Sequence, residues 1–404
     1  MNRDPPLPTN AMTTPPMPVQ PPRGLTLFTK FLRLGLTAFG GPAMVAYIRE
    51  LTVYKERWLD QESFKQGVAI CQTIPGATAM QVAAYVGLRS GGAWGAIAAY
   101  VGFGLPAFVL MVGLSALYRQ GRDLATVISI FNGLQVVVVA LVANATVHFG
   151  RSTLHNRRDL TLGLAVAGVL LAGGHPLLAI LAAALLGLAL FDNAIPPSQQ
   201  QSHLRPPLAR HELVPCLLLC LALIFCFAVL FGIDRQLFDL ALMMTRIDLF
   251  AFGGGYASVP LMFNEVVAGK QWMTGQTFMD GIALGQVTPG PIVITATFVG
   301  FLQAGLPGAL TATIAIFAPS LILLFAAVPT FDRFRHNLLF QRAMHGILVS
   351  FCGLLLSVTL RFGLAIPWES YRVVLFALAL LALWRKVDIL WVVLAGTAIS
   401  AILL

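Results

Sequence analysis

The chain has 404 residues, 57% of them hydrophobic and 11% charged, with a mean hydropathy of +0.81 and a formal net charge of +9. A soluble domain carries charge on roughly a quarter of its residues, so a water-soluble globular protein is excluded. The basic excess builds no nucleic-acid face either, because it sits in short loops between apolar runs, as at Arg157 and Arg158, Arg333 and Arg335, and Arg385 with Lys386.

In chain order, residues 1–24 are proline-rich (Pro5, Pro6, Pro8, Pro15, Pro16) and predict a disordered tail. They lack the short basic start and apolar core of a secretory signal, so the first apolar run, Leu25–Ile48, is expected to be an uncleaved signal anchor. Apolar runs near 26–48, 67–87, 92–118, 126–149, 160–173 and 175–191 follow. A polar linker, Ile195–Glu212, leads to another run at Leu213–Gly232. Six more runs lie near 239–262, 281–301, 306–328, 339–361, 372–384 and 386–404. Many reach the roughly 20 residues that cross a bilayer as helix, the form that satisfies its own backbone without water. The expected class is an all-α polytopic membrane protein of about thirteen segments; the short runs at 160–173 and 372–384 can also be read as re-entrant.

The two sets of six are copies. Ala38-Phe39-Gly40-Gly41-Pro42 returns as Ala251-Phe252-Gly253-Gly254-Gly255, an offset of 251 − 38 = 213, which also carries Arg33 onto Arg246. Trp58, Phe64, Gly67 and Gln72 fall on Trp272, Phe278, Gly281 and Gln286 at 286 − 72 = 214, and Pro75-Gly76 meets Pro289-Gly290. The offset then returns to 213 for Gly87 with Gly300, Gly95 with Gly308, Pro106 with Pro319 and Gly133 with Gly346. This predicts four parts: the tail at 1–24, a first repeat at 25–192, a linker with an unpaired helix at 193–236, and a second repeat at 237–404. Equivalent helices are seven segments apart, an odd step, so the copies are inverted, a common build for secondary transporters with a site near mid-membrane. Loop charge places the N-terminus inside, although 49–66, with Arg49, Lys55, Arg57 and Lys65, opposes that orientation.

Each repeat interrupts its helices twice, at Gly40-Gly41-Pro42 and Pro75-Gly76, then at Gly253-Gly254-Gly255 and Pro289-Gly290-Pro291. Irregular backbone at membrane depth is tolerated where it is buried in protein or lines a wet cavity. A helix restarting there offers free N–H groups and a partial positive charge, which suit an anion; packing glycines and kinks are the alternative. Gln72 and Gln286, three residues before each Pro-Gly, can donate amide hydrogens, and Thr288 and Thr295 can add hydroxyls. Arg33 and Arg246 are either a planar grip on an oxyanion or cations snorkelling to headgroups, with Asp248 a third option as partner to Arg246. Glu50 and Glu265, at 265 − 50 = 215, are candidates for a gate or proton relay, or simply solvated.

The cysteines, Cys71, Cys216, Cys220, Cys226 and Cys352, all lie in apolar runs, and Cys216 with Cys220 reads as apolar filling rather than a metal pair. No phosphate-binding loop, nucleophile elbow or metal-binding histidine helix is present, so neither an enzyme nor an ATP-driven pump is expected, and no cofactor or metal.

Phe39-Gly40-Gly41-Pro42, Glu50, Trp58-Leu59, Phe64, Gln72 and Pro75-Gly76, repeated from Phe252 to Pro291, make residues 26–404 resemble the chromate ion transporter family in its long, two-domain bacterial form. The resemblance implies efflux of chromate across the inner membrane, with resistance as the outcome and sulfate as the look-alike anion. It also implies that the glycine, Pro-Gly and arginine positions matter. Ala77 stands where the second copy has Pro291, so the first break is the softer. Competing expectations are uptake or exchange of sulfate or another oxyanion, and a passive anion channel. A homo-oligomer is compatible with the sequence.

Overall fold

The computed structural model describes residues 22–39, 43–121, 124–190, 213–335 and 337–403. Most of the expected tail, the linker at Ile195–Glu212 and the first glycine break at Gly40-Gly41-Pro42 lie outside those residues. The first repeat forms α1 (Gly24–Thr37), α2 (Ala43–Arg49), α3 (Gln61–Thr73), α4 (Thr78–Gly121), α5 (Ala125–Thr153), α6 (Arg157–Leu171) and α7 (Pro176–Leu190). After α8 (Leu213–Ile233), the second forms α9 (Arg235–Phe250), α10 (Gly255–Met262), α11 (Gly275–Val287), α12 (Thr295–Arg335), α13 (Leu338–Ala365), α14 (Ser370–Trp384) and α15 (Ile389–Leu403). The copies agree closely: α3 maps on α11 at 275 − 61 = 214, α6 on α14 at 370 − 157 = 213, and α7 on α15 at 389 − 176 = 213.

Both changes of offset have a physical cause. After α2 the helix widens into a π-helical stretch, Glu50–Lys55, and after α10 into a longer one, Phe263–Gly269. A π turn is how a helix absorbs an extra residue, and the second copy absorbs one more here. Both stretches end alike: Arg57 and Gln271 share a left-handed φ of 52°. The Trp58 and Trp272 amides then donate back to Thr52 and Val266. The expected loop at 49–66 is therefore largely helical. The residue is lost again before α12, which opens with a 3-10 turn at Ile292–Ile294. Three 3-10 residues rise about as far as four α residues, roughly 6 Å.

α4 and α12 are helical hairpins rather than single rods, with non-helical backbone at Gly91–Gly92 and at Ala304–Gly305. A Cβ on Gly87 would overlap the Gly95 carbonyl, and one on Gly300 that of Gly308, so the two arms touch backbone to backbone. This close approach explains why those four glycines recur.

The repeats are interlocked. α1 packs along α4 and α9 along α12, while α4 and α12 meet in the centre. The peripheral hairpins cross over: α6 and α7 pack on α13, and α14 and α15 on α5. Small residues permit this. A Cβ on Gly346 would strike the Ala183 carbonyl, and one on Gly133 the Ser400 hydroxyl. α6, α7, α14 and α15 have 15 residues each, about 22 Å at 1.5 Å per residue. Five helices among the described residues are long and apolar enough to cross a membrane. One of them, α8, buries none of its apolar window and lies outside against α9 and α12. Large apolar side chains such as Phe225, Leu185, Leu364 and Trp391 face outward, as a lipid-solvated surface requires. The chain is an all-α integral membrane protein.

Gly87→Leu and Gly300→Leu should each lower stability by about 1–3 kcal/mol through overpacking, read as a fall in melting temperature of the detergent-solubilised protein. Gly113→Ala, with no atom within 4 Å of the added carbon, should leave it unchanged.

Candidate functional site

The Pro-Gly break of each repeat is completed by the other repeat. The Gly76 amide donates to the Ala251 carbonyl at 2.9 Å, and the Gly290 amide donates to the Ala38 carbonyl at 3.0 Å. Gly76 has φ +112° and Gly290 φ +120°, conformations that only glycine adopts without strain. The prolines before them bring no N–H of their own. Gln81 secures the first break, its side-chain amide donating to the Pro75 carbonyl at 2.6 Å.

Beside the first crossing lies a cavity of about 560 Å³. Thr78 and Ala79, the first residues of α4, form one wall; Gly253, Gly254, Gly255 and Tyr256, which open α10, form another. The two helix starts adjoin, since a Cβ on Gly254 would come 3.2 Å from the Thr78 hydroxyl. The first residues of a helix have no intrahelical acceptor for their amides. In α10 the Ala257 amide is already satisfied by the Gly254 carbonyl, which leaves those of Gly255 and Tyr256. Gln72 reaches the same space with its side chain exposed to it, and Ser152 and Thr153 close the far side from the end of α5. Among the described lining residues none is ionisable except the Tyr256 phenol. The cavity thus combines hydrogen-bond donors at the two helix starts and Gln72 with apolar walls, and its described lining residues carry no full charge.

A family profile described as "Chromate transporter" matches the chain twice, over residues 25–188 and 238–401. The chain belongs to the chromate transporter family. It is 42% identical over 385 residues, 95% of each chain, to an uncharacterized transporter of Methanocaldococcus jannaschii. It is 30% identical over 381 residues, 92% of this chain and 90% of the relative, to a chromate transport protein of Pseudomonas aeruginosa. An uncharacterized transporter of Bacillus subtilis matches one stretch of 143 residues at 33% identity, 80% of that protein but 34% of this chain. No solved structure matches significantly. The chain is therefore an ion transporter with two copies of the family's unit.

The residues singled out in the sequence of this transporter separate into groups. Gln72, Gly253 and Gly254 line the cavity. Pro75 and Gly76 are buried immediately behind Ala77 and Thr78 in its wall. Gln286, Thr288, Pro289 and Gly290 are buried at the second crossing. There the Thr288 hydroxyl donates to the Gly285 carbonyl, and the Gln286 amide approaches the Tyr256 phenol. Thr295 is buried and bonds the Ile292 carbonyl. Gly40 and Gly41 lie outside the described residues.

The arginines are not brought to the cavity. Arg33 lies two residues from Phe31 and Gly35, both buried, and so on the opposite face of α1. It lines a separate cavity of about 480 Å³ with Lys30, Lys55, Glu50 and Glu56. Arg246 is bound by Glu265 at 2.8 Å, not by Asp248, whose carboxylate instead accepts from Ser320. The Glu50–Glu265 equivalence also shifts. Lys270 bonds the Glu265 carbonyl as Glu56 bonds that of Leu51, so the counterpart of Glu265 is Leu51. Arg246 therefore has an acidic partner with no equivalent beside Arg33. Thr78, Tyr256, Ser152 and Thr153 were not marked by the sequence; only Thr78, where the helix restarts after a break, carried a recognisable signal.

Gly253 combines φ +94° with a Phe149 ring carbon 2.7 Å from any added Cβ, whereas Gly255 would meet only methyl groups at 3.2 and 3.3 Å. Gly253→Ala should therefore cost about 1–3 kcal/mol in strain, and Gly255→Ala much less, measured as relative thermal stability in one detergent.

Proposed function

We propose that this chain is a secondary transporter that exports chromate across the inner membrane, driven by an ion gradient or the membrane potential, so that its presence confers chromate resistance. The observation that carries this reading is the convergence of two helix N-termini and the Gln72 amide on one cavity without fixed charge. A tetrahedral oxyanion has only acceptor atoms, so it matches the donors that the two helix ends and Gln72 bring to the cavity. Helix-end dipoles favour it further. Because no lysine or arginine lies among the described lining residues, the anion is held without the tight ion pair that would slow release. The inside-negative potential expels a dianion, which favours export.

Alternating access follows from two inverted copies that exchange roles around the shared crossings, with residues 25–192 and 237–404 as the exchanging units. The reciprocal bonds Gly76–Ala251 and Gly290–Ala38 support this, since each is the other's image under the repeat. The basic loops support an N-terminus on the cytoplasmic side. A relative named as a chromate transport protein supports the choice of ion. Sulfate presents the same four oxygens, and the donor set does not distinguish the two; sulfate uptake or exchange is thus the second reading.

Cells expressing the chain should accumulate less labelled chromate than cells without it, and Gly254→Val, which fills the cavity mouth between α10 and Thr78, should abolish the difference. Gln72→Leu should raise the half-saturating chromate concentration about tenfold, the loss of one hydrogen bond to a charged ligand. Equal accumulation with well-expressed protein would rule out chromate export, and filling rather than emptying of oriented vesicles by sulfate would favour uptake.

A further inference from the structure

The two crossings are alike in backbone but not in what stands behind them. Behind Gly76, α9 places Asp248 and α12 places Ser320; a Cβ on Gly76 would lie 2.9 Å from an Asp248 carboxylate oxygen. Behind Gly290 the repeat-related residues are Gly35 (248 − 213) and Ala107 (320 − 213), and an added Cβ would meet only the Ala107 methyl, at 2.7 Å. The second repeat thus adds a carboxyl group behind one crossing, while the residues behind the other, Gly35 and Ala107, carry no ionisable group. Asp248 is 1% exposed. Its hydrogen bonds all come from one residue: the Ser320 amide at 2.7 Å and the Ser320 hydroxyl at 2.7 and 2.6 Å.

No cation faces it among the described residues. Among the elements around it, α4 offers the Tyr100 phenol, which donates to the Phe317 carbonyl, and α10 offers the Tyr256 phenol. α8 offers only the thiols Cys216, Cys220 and Cys226. Arg246 on its own helix is engaged by Glu265. A carboxyl buried at membrane depth with no positive partner is stable chiefly with a proton bound. Asp280, the other buried acid of this repeat, differs: it accepts from both Tyr118 and Gln135 and lines a separate polar cavity of about 190 Å³.

We propose that Asp248 is the proton-carrying residue of this transporter, and that it takes up one proton together with each oxyanion in the central cavity, so that the two move in the same direction. The inference rests on that cavity being the anion site. Ala77 and Thr78, which follow Gly76 directly, line it. A bare carboxylate behind Gly76 opposes the helix-end dipole of α4 and repels the anion; a protonated one does neither. Proton and anion therefore favour each other's binding, the sign that gives symport rather than exchange. The balance is simple: a carboxylate oxygen gains one proton from water on the side where the anion enters and returns it on the other side. A doubly charged anion then travels with one net negative charge, still outward under an inside-negative potential. In this conformation the Gly76–Ala251 contact seals the carboxyl, so proton exchange requires that crossing to part.

The full chain in proteoliposomes, with the potential clamped at zero and an alkaline range in which chromate stays doubly charged, tests this. A pH gradient of about one unit, acid outside, should drive labelled chromate to about a tenfold inward gradient. A trapped pH dye should report about one proton entering per anion, the coupling proposed here. Asp248→Asn should abolish both accumulation and proton entry while chromate still moves under an imposed potential. Wild-type chromate flux without proton entry, or an unchanged gradient in Asp248→Asn, overturns the proposal alone; no chromate flux in the wild type overturns the anion reading as well. Should Asp248→Asn fail to fold, Ser320→Ala decides. Removing a donor to the carboxylate should move the pH of half-maximal transport upward, and an unshifted profile overturns the assignment.

Discussion

The structure depends on how four interrupted helices satisfy their backbones in a medium without water. A free amide or carbonyl at membrane depth costs several kcal/mol, so a helix can be broken there only if something else completes it. In this transporter each repeat completes the other: Gly76 bonds to Ala251, and Gly290 to Ala38. Neither repeat is structurally sufficient alone, because α5 and α13 also depend on the peripheral hairpins of the opposite copy. The crossings therefore bind the halves together and create the irregular backbone that opens a cavity between them. A conformational change that parts one crossing must re-satisfy two buried peptide groups, which favours discrete states over gradual loosening.

Much of this was legible in the sequence because it is local. Apolar runs of bilayer length, the doubled Gly and Pro-Gly motifs, and the 213–214 offsets describe helices, breaks and duplication without reference to neighbours. The changes of offset even marked the π-helical stretch and the 3-10 turn, though not what they were. What the sequence hid was set by facing. Arg33 is seven residues before Gly40 in the first break, yet it shares α1 with the buried stripe Leu27, Phe31 and Gly35 from the opposite side. Counting residues to the nearest glycine brought it toward the site; helical phase takes it away. Ser152 and Thr153 reach the cavity only because α5 ends beside α10 of the other repeat, a tertiary fact with no motif.

The copies have also diverged in charge where they agree in backbone. Left-handed residues recur in register at Gly76 and Gly290, Arg57 and Gln271, and Gly92 and Gly305, because helix geometry tolerates few alternatives there. The acids of the second copy do not recur. Asp248 faces Gly35 across the repeat, Asp280 faces Gln66, and Glu265 faces Leu51. The second copy holds the buried acids Asp248 and Asp280 and the tight arginine–glutamate pair, while the first copy's buried acid, Asp159, is paired with His345 and its Arg33 sits in a cavity of mixed charge.

That division fits a transporter better than symmetric charge would. If both crossings carried a buried carboxyl, the two would hold protons equally, and the protein would add the same repulsion to each side of the central cavity. With one carboxyl, the electrostatic field across the cavity is directional even though the scaffold is not. Shape is then supplied by the repeat, and direction by the few positions at which the repeat is broken. A donor-lined cavity without fixed charge is the counterpart of that arrangement: a lysine or arginine there would pair with the carboxyl or the anion and suppress any dependence of one on the other. Under the coupling proposed for Asp248, leaving the cavity neutral keeps the anion's affinity sensitive to a proton located behind the Pro75–Gly76 break.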